Sequence, residues 1–140
     1  MAIIITTELL RAKDACQDGI VEFLKHFSAG SADYQAVLNK CAETDQPEFA
    51  NWLLDSIGAD NSALEIEKIE GKHFFFAGSV SVKTGASLSG WFRAGGGIEA
   101  GRGIEAGGGI EAGLGIEAGG GIEAGGGIEA GGGIKAGGGI

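Results

Sequence analysis

No apolar run in this chain of 140 residues approaches the length needed to cross a bilayer, so a membrane-spanning helix is not expected. The opening Met1-Ala2-Ile3-Ile4-Ile5 is too short for a signal peptide and lacks a basic start, and the expected location is cytoplasmic. With only Cys16 and Cys41, no disulfide framework can form; both fall in helix-like sequence, where small buried thiols are common. Bases are scarce too: 10 Lys+Arg stand against 19 Asp+Glu, a formal net charge of −9. Residues 1–72 carry thirteen acids and six bases, and residues 73–140 carry six and four. An acidic surface of this kind argues against direct nucleic-acid binding and fits a basic partner or imitation of a polyanion.

Patterns that would carry catalysis or metal binding are missing as well. No Cys/His spacing suits a metal ion, and the glycines lack the following Lys-Ser/Thr of a phosphate loop. Cys16 and His26 lie ten residues apart on different helical turns, with no third group to orient them. His73 stands beside three phenylalanines, where packing is the commoner role for a histidine. No enzymatic activity and no cofactor are expected.

What is present is a repeat. From Gly95 onward Gly-Gly-Gly-Ile-Glu-Ala recurs almost without variation, placing Ile at 98, 104, 110, 116, 122, 128, 134 and 140. In Ile98-Glu99-Ala100 the Ile and Ala stand two apart, so a strand turns them to one face and Glu to the other. The Gly-x-Gly that follows supplies residues that accept positive φ and turn a corner. Three six-residue sides per coil are expected, although the repeat alone fixes neither that number nor the handedness. At that spacing Ile98 lies under Ile116 and Ile134, and the register runs upstream through Phe92/Ala94, Ala86/Leu88, Val80/Val82 and Phe74/Phe76. The array is therefore expected to begin near Phe74. Collagen is excluded because glycine does not recur at every third position.

Upstream the period changes to that of helices. Thr6 or Thr7 can cap a helix through Arg11; Asp14 precedes a helix with Cys16, Ile20, Phe23 and Phe27 on one face, and Gly30 stops it. Ser31 or Asp33 opens a third helix, with Tyr34, Val37, Leu38 and Cys41 on its buried face. Asp45 and Glu48 have capping-box spacing ahead of a fourth, in which Phe49, Trp52 and Leu53 form the apolar stripe. Leu64-Glu65-Ile66-Glu67-Lys68-Ile69 alternates as one strand. The expected fold is α+β: a helical cap over residues 1–60, a connecting strand over 61–73, and a parallel β-helix over 74–140. The aromatics Phe74, Phe75, Phe76, Trp91 and Phe92 suggest that the helices dock at the rod's start and close that end.

The stretch Leu9-Leu10-x3-Asp14-Ala15-Cys16-x2-Gly19-x3-Phe23, followed by Gly-Ile-Glu-Ala-Gly repeats, resembles a group of uncharacterised bacterial and prophage proteins. The resemblance implies a phage-related, non-enzymatic role and brings no catalytic residues. In that group an aromatic often replaces a repeat glycine and a further segment follows the repeats. The hexapeptide period also resembles left-handed β-helix acyltransferases, but His26 and His73 lie outside the regular array.

The candidate contact residues are the glutamates that would stack in columns, Glu99 with Glu117, Glu105 with Glu123 and Glu111 with Glu129, together with Leu114 at a corner and Ile140. They lead to two expectations. The first is a non-catalytic protein that binds a protein partner or self-associates through the open solenoid end. The second is an inhibitor whose carboxylates mimic nucleic acid before a DNA- or RNA-handling enzyme.

Overall fold

The computed structural model describes residues 3–139. Four helices come first: α1 (Thr7–Ala12), α2 (Gln17–His26), α3 (Tyr34–Glu43) and α4 (Pro47–Ile57). Two short strands, β1 (Ile4–Thr6) and β2 (Ser31–Asp33), pair antiparallel and tie the start of this unit to the segment between α2 and α3. Thr6 Oγ1 caps α1 by accepting the Leu9 N–H at 3.0 Å, and Asp33 Oδ2 caps α3 through the Gln35 and Ala36 N–H groups. Two expected caps are otherwise made. Cys16 Sγ, not Asp14, accepts the Gly19 N–H at the start of α2, and Gln46, not Asp45, precedes α4. Asp14 and Asp45 instead adopt left-handed backbone, which short polar side chains tolerate. Cys16 is consequently exposed and Cys41 buried, both as free thiols.

The predicted face of α3 is buried in full: Tyr34, Val37, Leu38 and Cys41 pack against Ile20 and Phe23 of α2 and Ala50, Leu53 and Leu54 of α4. On α4 the buried stripe is rotated from the expected one. Phe49 and Trp52 are only half-buried, leaving two aromatic rings at the surface of this unit.

The remainder is a three-walled parallel β-solenoid of about four coils. One wall stacks β3 (Ala63–Ile66), β6 (Ser79–Val82), β9 (Ile98–Ala100), β12 (Ile116–Ala118) and β15 (Ile134–Ala136). A second stacks β4 (Ile69–Gly71), β7 (Ala86–Leu88), β10 (Ile104–Ala106) and β13 (Ile122–Ala124). The third stacks β5 (Phe74–Phe76), β8 (Phe92–Ala94), β11 (Gly109–Ala112) and β14 (Gly127–Ala130). Ile pairs with Ile and Ala with Ala at eighteen-residue spacing, as in Ile98↔Ile116 and Ile104↔Ile122. Ile98, Ile104, Ile110, Ile116 and Ile122 are all at 0% exposure, each contributing roughly 1.5–3 kcal/mol by burial.

The solenoid starts two strands earlier than expected. Residues 64–69 are not one strand: a corner at Glu67-Lys68 separates β3 from β4, and both join the walls. Their register explains why the eighteen-residue period hides them. Leu64 pairs with Val80 and Ile69 with Ala86, spacings of sixteen and seventeen, and eighteen is reached only at Phe74↔Phe92.

Glycine's role also differs from the expectation. In the solenoid only Gly71 and Gly139 among the described residues have positive φ. At Gly107, Gly113, Gly119 and Gly125 an added Cβ would fall 2.0–2.3 Å from a carbonyl oxygen one coil away. These corners need glycine because the coils stack backbone on backbone, not because the chain turns left-handed there.

The helices dock at the rod's start, as expected, but on its flank, against the outer face of β5 and β8, and not across its end. Phe74, Phe76 and Phe92 point into the solenoid, whereas Phe75 (1% exposed) and Trp91 face the helices. Leu64, Ile66 and Phe74 on the first coil stay half-buried.

Candidate interaction surfaces

Outward-facing residues fall into one column per wall, because the middle residue of each strand faces away from the core. The first column reads Glu65, Ser81, Glu99, Glu117, Lys135, and the second Glu70, Ser87, Glu105, Glu123. The third reads Phe75, Arg93, Glu111, Glu129. The glutamates expected to stack do so as direct register partners. Each exposed like pair costs up to about 1 kcal/mol in water and less with salt. Lys135 stands next to Glu117 in the first column; no base occurs in the second among the described residues.

The third column is different in kind. Its first member is buried under the helices, its second is largely covered by them, and its third is bound to the second. Arg93, 11% exposed, donates through Nη1 to Asn51 O at 3.1 Å, Asn51 Oδ1 at 3.2 Å and Glu111 Oε2 at 2.9 Å, while Nη2 reaches Asp55. The guanidinium fork thus joins α4 to the rod and occupies Glu111. Partial burial pushes the Glu111 carboxyl above the ordinary glutamate range, with the pull of Arg93 opposing it. Of the six glutamates, Glu111 alone serves the internal joint; Glu99, Glu105, Glu117, Glu123 and Glu129 are exposed.

Leu114 projects from a corner and is 62% exposed. It borders a shallow groove on the first wall together with Leu64, Glu65, Glu99 and Glu117. Ile140 lies outside the described residues.

A second joint sits where the α3–α4 turn meets the rod. Asp45 accepts from Lys72 Nζ at 2.6 Å and from His73 Nε2 at 2.6 Å, and His73 Nδ1 accepts the Trp91 N–H at 3.0 Å. Lys72 first and then His73 hold the Asp45 carboxyl below the ordinary aspartate range. His73 is packed and positioned, with both ring nitrogens engaged. Gln35 completes the docking: its Nε2 donates to Phe75 O at 2.7 Å and its Oε1 accepts the Ala77 N–H at 2.8 Å.

A cleft of about 540 Å³ in the helical unit went unnoticed in the sequence. It is lined by Asp14, Asp18, Glu22, Glu48, Phe49 and Trp52, among others. Its signal in the sequence is Asp14, Asp18 and Glu48 at helix starts and Glu22 a turn further into α2, close to two aromatics of core-like type.

Residues 1–59 match the family model described as the YdhT N-terminal domain. The match covers the helical unit and stops before β3. No curated protein and no solved structure matches the chain. No helix among the described residues is long and apolar enough to cross a membrane.

Proposed function

We propose that this chain is a non-catalytic interaction protein, in which a stiff acidic rod carries a YdhT-like helical domain on its flank. The observation that carries the reading is the exposure of Glu99, Glu117, Glu105 and Glu123 on regular walls, with Glu105 and Glu123 in a column that holds no base among the described residues. A flat array of fixed carboxylates complements a basic protein surface and speeds encounter with it. Two of the groups that chemistry would recruit are otherwise engaged, which supports the same reading. Burial pushes the Cys41 thiol up to about 12, and His73 is held at both nitrogens. The resemblance of the repeat to prophage proteins adds a phage-borne setting to this proposal.

Self-association is part of the reading. β3, β4 and β5 present strand edges with no coil before them, and Leu64, Ile66 and Phe74 beside those edges are half-buried, so a second copy can stack there. Light scattering across a concentration series tests it: growth in mass that Leu64→Lys abolishes supports stacking, and a constant monomer mass contradicts it. Charge reversal at Glu99, Glu105, Glu117 and Glu123 tests the walls. Loss of proteins retained from lysate by the wild-type chain supports the acidic-wall reading, and unchanged retention contradicts it.

One observation favours a second reading, imitation of nucleic acid. Five exposed glutamates occur over residues 98–133, two coils, with Glu111 held by Arg93 and Arg102 as an offsetting base. Over roughly 10 Å of rod that is about one free carboxylate per 2 Å, against about one phosphate charge per 1.7 Å of duplex. Competition separates the readings: a retained partner that duplex DNA displaces supports mimicry, and one indifferent to DNA supports a protein-specific wall.

A further inference from the structure

We propose that the cleft on the helical domain binds the guanidinium of an arginine-bearing segment of a partner protein. The cleft lies between the beginning of α2 and the first two turns of α4. Its floor is the ring pair Phe49–Trp52, nearly parallel at 11° with centroids 6.1 Å apart. Gly19 borders that floor, and an added Cβ would stand 3.4 Å from Phe49 Cε1, in contact with the ring. Asp14, Asp18, Glu22 and Glu48 line the walls, and no Lys or Arg lines the cleft.

The sign of the occupant follows from charge. The N-termini of α2 and α4 both face this region and contribute about +0.5 each, which four carboxylates outweigh by about three charges. Anions are repelled and a cation is drawn in. Among the described residues no three carboxylate, thiol or imidazole groups converge closely enough to hold a metal ion. The acids are spread around an apolar floor, which suits an extended, weakly hydrated cation.

Guanidinium combines the required properties. Its planar face stacks on Trp and Phe, its fork of N–H groups meets carboxylates on two sides, and it gives up water more readily than an ammonium. Within a peptide the side chain also comes without an adjacent free carboxylate, which the four acids would oppose in free arginine. The cleft shares no residue with the rod's walls, so this proposal and the one for the walls stand or fall separately.

The test uses the full chain and acetyl-glycyl-arginyl-glycinamide as the probe, followed by two-dimensional amide NMR. The expected result is saturable shifts at the Gly19 and Glu48 amides and the Trp52 indole N–H. The citrulline counterpart, neutral but of the same shape, should bind about tenfold more weakly. Asp18→Asn combined with Glu48→Gln removes two exposed charges and should weaken the arginine peptide by about tenfold, with the remaining spectrum unchanged as proof of folding. Equal binding of the citrulline peptide overturns the proposal. So do shifts confined to the rod, or no shifts at millimolar probe.

Discussion

In the helical domain individual side chains make individual contacts: Thr6, Cys16 and Asp33 cap three of the four helices, and Gln35 and Asp45 make one-of-a-kind contacts with the rod. In the solenoid one six-residue instruction is reused, and its meaning depends on what stacks above and below. The difference teaches where tolerance lies. A change in the helical domain is judged by the contact it removes, whereas a change in the rod is judged by its coil, since inner coils are paired on both sides and outer coils on one.

Substituting the core sharpens this contrast most. Ile110→Ala, at a site with 0% exposure in an inner coil, should destabilise the rod by about 2–5 kcal/mol in chemical denaturation followed by far-ultraviolet circular dichroism. The same change at the half-buried Ile134 should cost less than half as much; equal costs would break the comparison. Next comes Gly113→Ala, where the new Cβ would press within 2.0 Å of Gly95 O and should cost about 1–3 kcal/mol. Gly127→Ala, with nothing within 4 Å, should stay within about 0.5 kcal/mol of wild type.

Arg93→Met keeps the apolar stem but removes the fork between Asn51, Asp55 and Glu111. It should cost about 1–3 kcal/mol and split thermal unfolding into helical and rod transitions. A single unshifted transition would mean that the joint is not needed for coupling.

Asp45 gives a pH effect of smaller size. Its folded-state pKa is depressed below the ordinary value of 3.8, so its contribution is complete above that value and is lost as pH falls through the folded one. Asp45→Asn should therefore flatten the acid limb of the stability profile below about pH 4 and leave its shape at neutral pH unchanged. Smallest of all, Leu114→Ser at a corner exposed to 62% should alter stability by no more than about 0.5 kcal/mol in the same denaturation assay.

The solenoid was legible because its signal is redundant: Ile and Ala recurring every six residues mark every strand and corner, although the number of walls is settled only by the pairing at eighteen. Its first two strands were not, because Leu64 and Ile69 pair at sixteen and seventeen residues while the regular coils keep eighteen. The helix faces were legible from 3.6-residue spacing, with the α4 stripe the exception. Phe49 and Trp52 look like core by type, but Ala50 and Leu54 take that place and turn the rings outward. Flank docking was hidden for a similar reason. A run such as Phe74-Phe75-Phe76 declares bulk, and only the strand's alternation decides that Phe75 alone faces the helices. The glutamate columns were readable as a pattern, but Glu111's distinct role depends on Arg93 lying one coil away in register.

The account rests on carboxylates stacking in register on separate walls, which cross-linking probes directly. In a Cys16→Ser, Cys41→Ala background, Glu105→Cys with Glu123→Cys places two thiols on adjacent strands about 4.8 Å apart, within disulfide reach. Mild oxidation should close that pair within one chain and leave the Glu105→Cys, Glu117→Cys pair, on different walls, reduced. Failure of the first pair to close, or equal closure of the second, would contradict the three-walled stack.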